Sequence, residues 1–210
     1  MNTLKVENIS KTIKDSVILQ NVSMEADGGK SVGIVGENGS GKSMLFRVMA
    51  GLVQPTEGQV LYNEKTFQEG QPKIGLVIDD VSLYPDFTGK RNLELLAMIR
   101  NIADEKMIED AIERVGLDPK DKRSFRKYSL GMKHRLLLAQ AIMEKPDFLF
   151  LDEPTNAVDA EGVQIFYHII KEEAERGAVV VVSSHVNSDI QTLAEKTYLM
   201  SKGKFSVKNV

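Results

Sequence analysis

An α/β fold with a helical insertion is predicted by three features of the 210-residue sequence. Short apolar, strand-like runs alternate with amphipathic helical ones. A glycine-rich turn joins one of these strands directly to a helix. A block of helical periodicity then separates two groups of strands.

The elements follow in order. Residues 4–9 and 17–24 read as strands, with a turn near Lys14 and Asp15, and Gly28-Gly29 is a second turn. Residues 32–35 form a short buried strand that runs into the glycine-rich loop. Residues 42–50 read as a helix closed by Gly51, and 59–62 and 74–78 as further strands. From about residue 90 to 143 the apolar positions fall three and four apart. Leu93, Leu96 and Ala97 make one stripe, and Ile108, Ala111, Ile112 and Val115 another, ended by Gly116 and Pro119. Strands return at 148–151 and 179–183. A last pair, 198–200 and 205–207, turns at Lys202-Gly203. The expected organisation is a single domain over 1–210, with a helical subdomain at roughly 80–143 inserted in the α/β core.

Composition narrows the function classes. Apolar residues make up 42% of the chain, enough for a packed core. Thirty acidic residues against 27 basic ones leave a net charge of −3, with no basic excess of the kind nucleic-acid binders carry. The sequence has no cysteine, which excludes disulfides, thiolate metal sites and cysteine nucleophiles. The first ten residues lack the apolar core of a secretory signal, and the longest apolar runs, such as 178–182, are far too short to span a bilayer. A role at a membrane therefore calls for another, spanning chain.

The turn Gly36-Glu37-Asn38-Gly39-Ser40-Gly41-Lys42-Ser43 fits the phosphate-loop pattern at every fixed position, between a strand and a helix. The glycines let the backbone turn tightly and aim its N–H groups at phosphate oxygens. The helix that begins at Lys42, with Met44 in its first turn, points its positive end at the same place. Lys42 supplies a compact cation for the β- and γ-phosphates, and the Ser43 hydroxyl is a hard ligand for Mg²⁺. The core is accordingly predicted to be a P-loop nucleoside-triphosphatase fold that binds ATP. An N-terminal antiparallel β subdomain precedes it.

The apolar run 148–151 ends in Asp152-Glu153-Pro154, at the carboxyl end of a strand, where parallel sheets place ligand sites. Asp152 is expected in the Mg²⁺ shell. Glu153 is expected further out, where it polarises the attacking water. Ser183-Ser184-His185 follows another apolar strand, so His185 is a candidate for holding Glu153 and the water in line; a helix-capping role for this segment stands beside it. His134 and His168 read as helix-surface or packing residues.

With these motifs in hand, the chain resembles the ATP-binding subunits of ABC transporters along nearly its whole length. The phosphate loop, Ser129-Leu130-Gly131-Met132-Lys133 in the place of the signature, residues 148–153 as the second acidic motif, Asn156-Ala157-Val158-Asp159 as the D-loop and His185 as the switch histidine agree in order and approximate spacing. The resemblance implies ATP hydrolysis with Mg²⁺. It also implies a head-to-tail sandwich with a second ATP-binding subunit, a homodimer or a heterodimer. In that sandwich Ser129, Leu130, Gly131 and Met132 of one chain face the nucleotide of the other. It further implies a separate integral membrane subunit, met by a surface near residues 79–92, no nucleic-acid partner, and a cytoplasmic, peripheral location at the inner face of the membrane.

The sequence departs from that family in four places. Ile13 stands where an aromatic residue usually stacks on adenine. Asp79, followed by Asp80, replaces a glutamine expected to touch Mg²⁺. Leu130 and Met132 replace a signature glycine and glutamine, and Asn156 stands where serine is common. Residues 74–80 and 84–93 look most like the bacterial exporters of bacitracin and lantibiotic resistance. Two alternatives stay open at this point: a soluble ABC-type ATPase acting on nucleic acid or ribosomes, and a nucleotide-regulated module that does not hydrolyse.

Overall fold

The structure is a computed structural model that describes residues 1–78, 82–156, 158, 160–185, 190 and 193–208. Two sheets organise it. Strands β1 (Thr3–Ile13), β2 (Ser16–Asp27) and β4 (Glu57–Tyr62) form an antiparallel sheet in the order β2-β1-β4. Strands β3 (Ser31–Val35), β5 (Ile74–Val77), β6 (Phe148–Leu151), β7 (Val179–Ser184), β8 (Lys196–Ser201) and β9 (Lys204–Lys208) form the second, in the order β5-β6-β7-β3-β8-β9. It is parallel except for β9, which pairs antiparallel to β8.

The centre of the second sheet is covered on both faces, which is why β6 and the valine run of β7 are continuously apolar. Alternation sorts their side chains between two cores. Leu149, Leu151, Val180 and Val182 face one core with helices α5 (Leu130–Ile142) and α6 (Ala160–Glu175). Phe148, Phe150, Val179 and Val181 face the other, built with α1 (Lys42–Met49) and the inner side of the antiparallel sheet. There Phe46 meets Phe150 edge-on at 6.5 Å, and Tyr62 meets Phe148 at 5.1 Å.

Between β5 and β6 the chain runs through α3 (Gly89–Arg100), α4 (Glu105–Arg114) and α5. Each begins on the side chain of its N-cap: Thr88 accepts from Arg91 N, Asp104 from Met107 N and Ser129 from Met132 N. Leu93, Ala97, Ile108, Ala111, Ile112 and Val115 are buried, as their spacing predicts. The chain leaves α4 through Gly116 at φ +69°. This helical group is tied to the rest by charge as well as by packing. The Glu173 carboxylate, 1% exposed, pairs with Arg114 of α4 at 2.8 Å and with Arg176 at 2.7 Å.

The strands of the antiparallel sheet are longer than their apolar runs predict. The polar residues Ser10 to Thr12 join β1 by pairing with β2 and with Glu57 of β4 rather than by burial. A short helix α2 (Phe67–Gly70) lies outside the elements that the sequence predicts. It rests on a capping box in which Glu69 reaches back to the backbone and hydroxyl of Thr66.

Candidate functional site

The site forms where the carboxyl ends of β3, β6 and β7 lie side by side. Register fixes this: Val35 pairs with Ser184, and Leu151 pairs with Val182. The phosphate loop therefore leaves β3 beside the acids that follow β6 and the histidine that follows β7.

The loop is clasped from outside. A Cβ at Gly36 would lie 2.4 Å from the Met200 carbonyl, so only glycine lets β8 pass that close. The β8–β9 turn braces the loop further: Gly203 N donates to Ser40 O at 2.9 Å, and Gly203 O accepts from Gln20 N of β2 at 2.8 Å. Gly203 has φ +75°, and a Cβ there would meet the Ile18 carbonyl at 2.4 Å.

Lys42 is buried, and its ammonium spends all three donors: on Gly36 O at 2.7 Å, Glu37 O at 3.2 Å and Glu153 Oε1 at 3.0 Å. The other carboxylate oxygen of Glu153 meets His185 Nδ1 at 2.7 Å. Burial alone would raise the Glu153 pKa. The hydrogen bonds and charges of His185 and Lys42 outweigh it and hold the carboxyl below its ordinary range, so it is ionised at neutral pH.

Asp152 is 2% exposed. Its Oδ1 accepts from Ser183 Oγ at 2.5 Å, and its backbone N–H donates to Val77 O. Glu153 takes φ +49°, a left-handed conformation that costs a non-glycine residue about 1–3 kcal/mol. Its N–H donates to the same Ser183 Oγ at 2.9 Å. Ser183 was not singled out from the sequence. The available signal was a hydroxyl at the carboxyl end of an otherwise all-valine run.

A cleft of about 410 Å³ follows the loop, lined by Gly39, Lys42, Ser43 and Met44 with Glu153, Asn156 and Ile18 among others. Its chemistry fits a nucleoside triphosphate with a hard cation. No side chain caps the N-terminus of α1, so its first N–H groups are free for an anion. The Ser40 hydroxyl is buried without a partner among the described residues, an arrangement a phosphate oxygen would satisfy. Ser43 and Asp152 offer oxygen donors. Among the described residues no group of three or more His, Cys, Asp or Glu side chains is placed to hold a metal ion by itself.

The remaining candidates lie elsewhere or beyond view. Asp79, Ala157 and Asp159 fall outside the described residues. Ser129, Leu130, Gly131 and Met132 do not line the cleft. They open α5, where Ser129 is exposed, Leu130 is 54% exposed and a Cβ at Gly131 would meet nothing within 4 Å. Ile13 ends β1, exposed, and does not line the cleft; the β-sheet residue that does is Ile18. His168 pairs with Glu172 on the surface of α6 at 3.0 Å, and His134 is half-buried on α5; neither reaches the site.

Comparison with known proteins decides the family. The model of the ABC transporter family matches residues 19–156, more than half of the chain. The chain belongs to the ABC transporter family. It is 41% identical to the uncharacterised ABC transporter ATP-binding protein YybJ of Bacillus subtilis, over 96% of this chain and 94% of that protein. It is 34% identical to the bacitracin transport ATP-binding protein BcrA of Enterococcus faecalis, over 95% of this chain and 67% of that one. It is 33% identical to the lantibiotic transport ATP-binding protein SrtF of Streptococcus pyogenes, over 96% of this chain and 88% of that one. The fold agrees with a dimeric ATP-binding cassette, MJ0796, solved in a post-hydrolysis state with ADP and Pi. The TM-score is 0.88 at 25% identity, covering 98% of this ABC chain and 97% of that one.

Proposed function

We propose that this chain is the ATP-hydrolysing subunit of an ABC exporter of the peptide-antibiotic, lipid or drug type. The observation that carries the reading is the arrangement of Lys42, Glu153 and His185, which puts a phosphate-loop cation, an ionised carboxylate and a histidine in direct contact. The relatives' names support the export of peptide antibiotics.

The chemistry follows from the contacts. Backbone N–H groups of residues 36–43 and the start of α1 bind the phosphates. Mg²⁺, held by Ser43 and Asp152 with Asp79 as a further candidate, would neutralise charge developing on the phosphates. Lys42 cannot serve Glu153 and a γ-phosphate fully at once. As the phosphate draws the ammonium away, Glu153 loses a cationic partner and becomes more basic, in position to take the proton of the attacking water. His185 keeps hold of its other oxygen.

The signature residues 129–132, of which Ser129 and Leu130 are exposed, read as the part of the site lent to a second ATP-binding subunit, identical or homologous. Residues 80–143 read as a helical subdomain that carries them. The membrane subunit is met near residues 79–92, where Tyr84 and Phe87 are exposed aromatics, 58% and 42% accessible. No helix among the described residues is long and apolar enough to cross a membrane; in this reading the chain sits at the cytoplasmic face through that partner. At the base end, Ile13→Tyr is expected to tighten ATP binding about tenfold by adding an aromatic stack. Calorimetry checks this, and an unchanged Kd would mean that the base does not reach the end of β1.

Affinity purification of the tagged chain from membranes of its own cells, with phosphate release measured on the product, tests the whole reading. An integral membrane protein should co-purify, and ATP should be hydrolysed. Ribosomes or nucleic acid in its place would overturn the exporter, and the absence of phosphate release would overturn the ATPase.

A further inference from the structure

The β6–β7 ladder stops at the pair Leu151 and Val182. One residue further on, a side chain replaces the ladder. Ser183, fully buried, donates its one hydroxyl proton to Asp152 Oδ1 at 2.5 Å and accepts the Glu153 N–H at 2.9 Å. One hydroxyl thus addresses both acids, from the strand that also delivers His185 two residues later.

Each bond has a geometric consequence. With Oδ1 engaged, the Asp152 carboxylate is fixed in rotation and its second oxygen is the one left for a cation. With its N–H held, the Glu153 peptide stays in the left-handed conformation at φ +49°. That conformation sets the direction in which its side chain leaves toward Lys42 and His185. Alanine at 183 keeps the strand and its burial but supplies neither bond. Both an acceptor on Asp152 and a donor on Glu153 then lose their buried partner.

We infer that Ser183 is a positioning residue for ATP hydrolysis, holding Asp152 for the cation and Glu153 for the water through a single shared hydroxyl. The inference rests on the ATPase reading proposed above. It adds a residue that the phosphate loop, the acidic pair and the histidine do not include.

The test compares wild type with Ser183→Ala and Ser183→Thr, the second of which keeps the hydroxyl. Steady-state phosphate release should fall about 10- to 100-fold in kcat in the alanine variant, as expected when preorganisation is lost, and KM for ATP with Mg²⁺ should rise by the factor that Mg²⁺ contributes to binding in wild type. The threonine variant should recover most of the rate. ATP binding measured by calorimetry with and without Mg²⁺ gives a readout independent of turnover. Ser183→Ala should keep the Mg²⁺-free affinity and lose the gain that Mg²⁺ confers. Full kcat with an intact Mg²⁺ gain in the alanine variant would overturn the inference, as would equal damage in both variants. If wild type itself releases no phosphate, the ATPase reading fails, and the Mg²⁺ binding comparison still decides the role of Ser183. Should the alanine variant not fold, Ser183→Cys, of similar size and a weak donor, takes its place with the same expected losses.

Discussion

Replacing Glu153 by glutamine is expected to lower steady-state phosphate release by about 100- to 10,000-fold while leaving ATP binding nearly intact. The structure makes this substitution unusually clean. Glutamine keeps the size of the side chain and the acceptor that faces Lys42 at 3.0 Å. Its amide NH₂ takes the place of the oxygen that meets His185 at 2.7 Å, and a neutral imidazole can accept from it. The backbone bond to Ser183 does not involve the side chain and is unchanged. What disappears is the negative charge and with it the ability to take a proton from water. ATP should therefore bind and stay bound. If the signature residues of a second chain complete the site, a stable dimer should accumulate in the variant with ATP and Mg²⁺, and not with ADP. Phosphate release and light-scattering mass measure the two effects. Equal rates in wild type and variant would remove Glu153 from the chemistry. A monomer with bound ATP would remove Ser129 to Met132 from the trans site.

Much of this arrangement was legible in the sequence because its signals are local. The phosphate loop is eight consecutive residues between a strand and a helix. The run Phe148-Leu149-Phe150-Leu151 is apolar on both faces because β6 is covered on both faces. Helices α3 and α4 follow from spacing within single turns. What escaped is non-local or polar. Polar residues Ser10 to Thr12 carry no alternation signal, and only pairing with β2 and β4 makes them strand. The ion pair between Lys42 and Glu153 joins residues from opposite halves of the chain, and nothing in the local pattern around either points to the other. The brace from Gly203 to Ser40 and the hydroxyl of Ser183 depend on strand order, which spacing alone does not give. Helix α2 is a different case: the Thr66 to Glu69 capping box stands in the sequence, but the segment is too short to show helical periodicity.

Lys42→Ala should have the largest effect on nucleotide affinity of any single change in the site. The ammonium is 4% exposed and fully committed to Gly36 O, Glu37 O and Glu153. Two of these acceptors belong to the phosphate loop itself, so Lys42 draws the loop together before any phosphate arrives. Its removal acts on three things at once. A phosphate loses its cation, the carbonyls of residues 36 and 37 lose their donor, and Glu153 keeps only His185. A buried charge stripped of one partner costs about 3–5 kcal/mol where it stays ionised. Glu153 is slightly exposed, at 11% for its side chain, and can relieve part of that cost through water or by taking up a proton. The consequence is a specific pH signature. In wild type, Lys42 and His185 hold the Glu153 pKa below its ordinary value against the effect of burial, which raises it. Stability from this group is therefore present above the unfolded-state pKa and lost as pH falls through the lower folded-state value. Without Lys42 the folded pKa rises, and that contribution should shrink at neutral pH. Comparison of wild-type and Lys42→Ala unfolding midpoints at pH 7 and near pH 4 should show a larger difference at pH 7. ATP affinity should fall at least 100-fold by calorimetry, in line with the loss of a charge-assisted contact to phosphate. A variant that binds ATP within a few-fold of wild type would mean that the loop's backbone and the start of α1 suffice to bind the phosphates. Lys42 would then serve the acid beside it rather than the nucleotide.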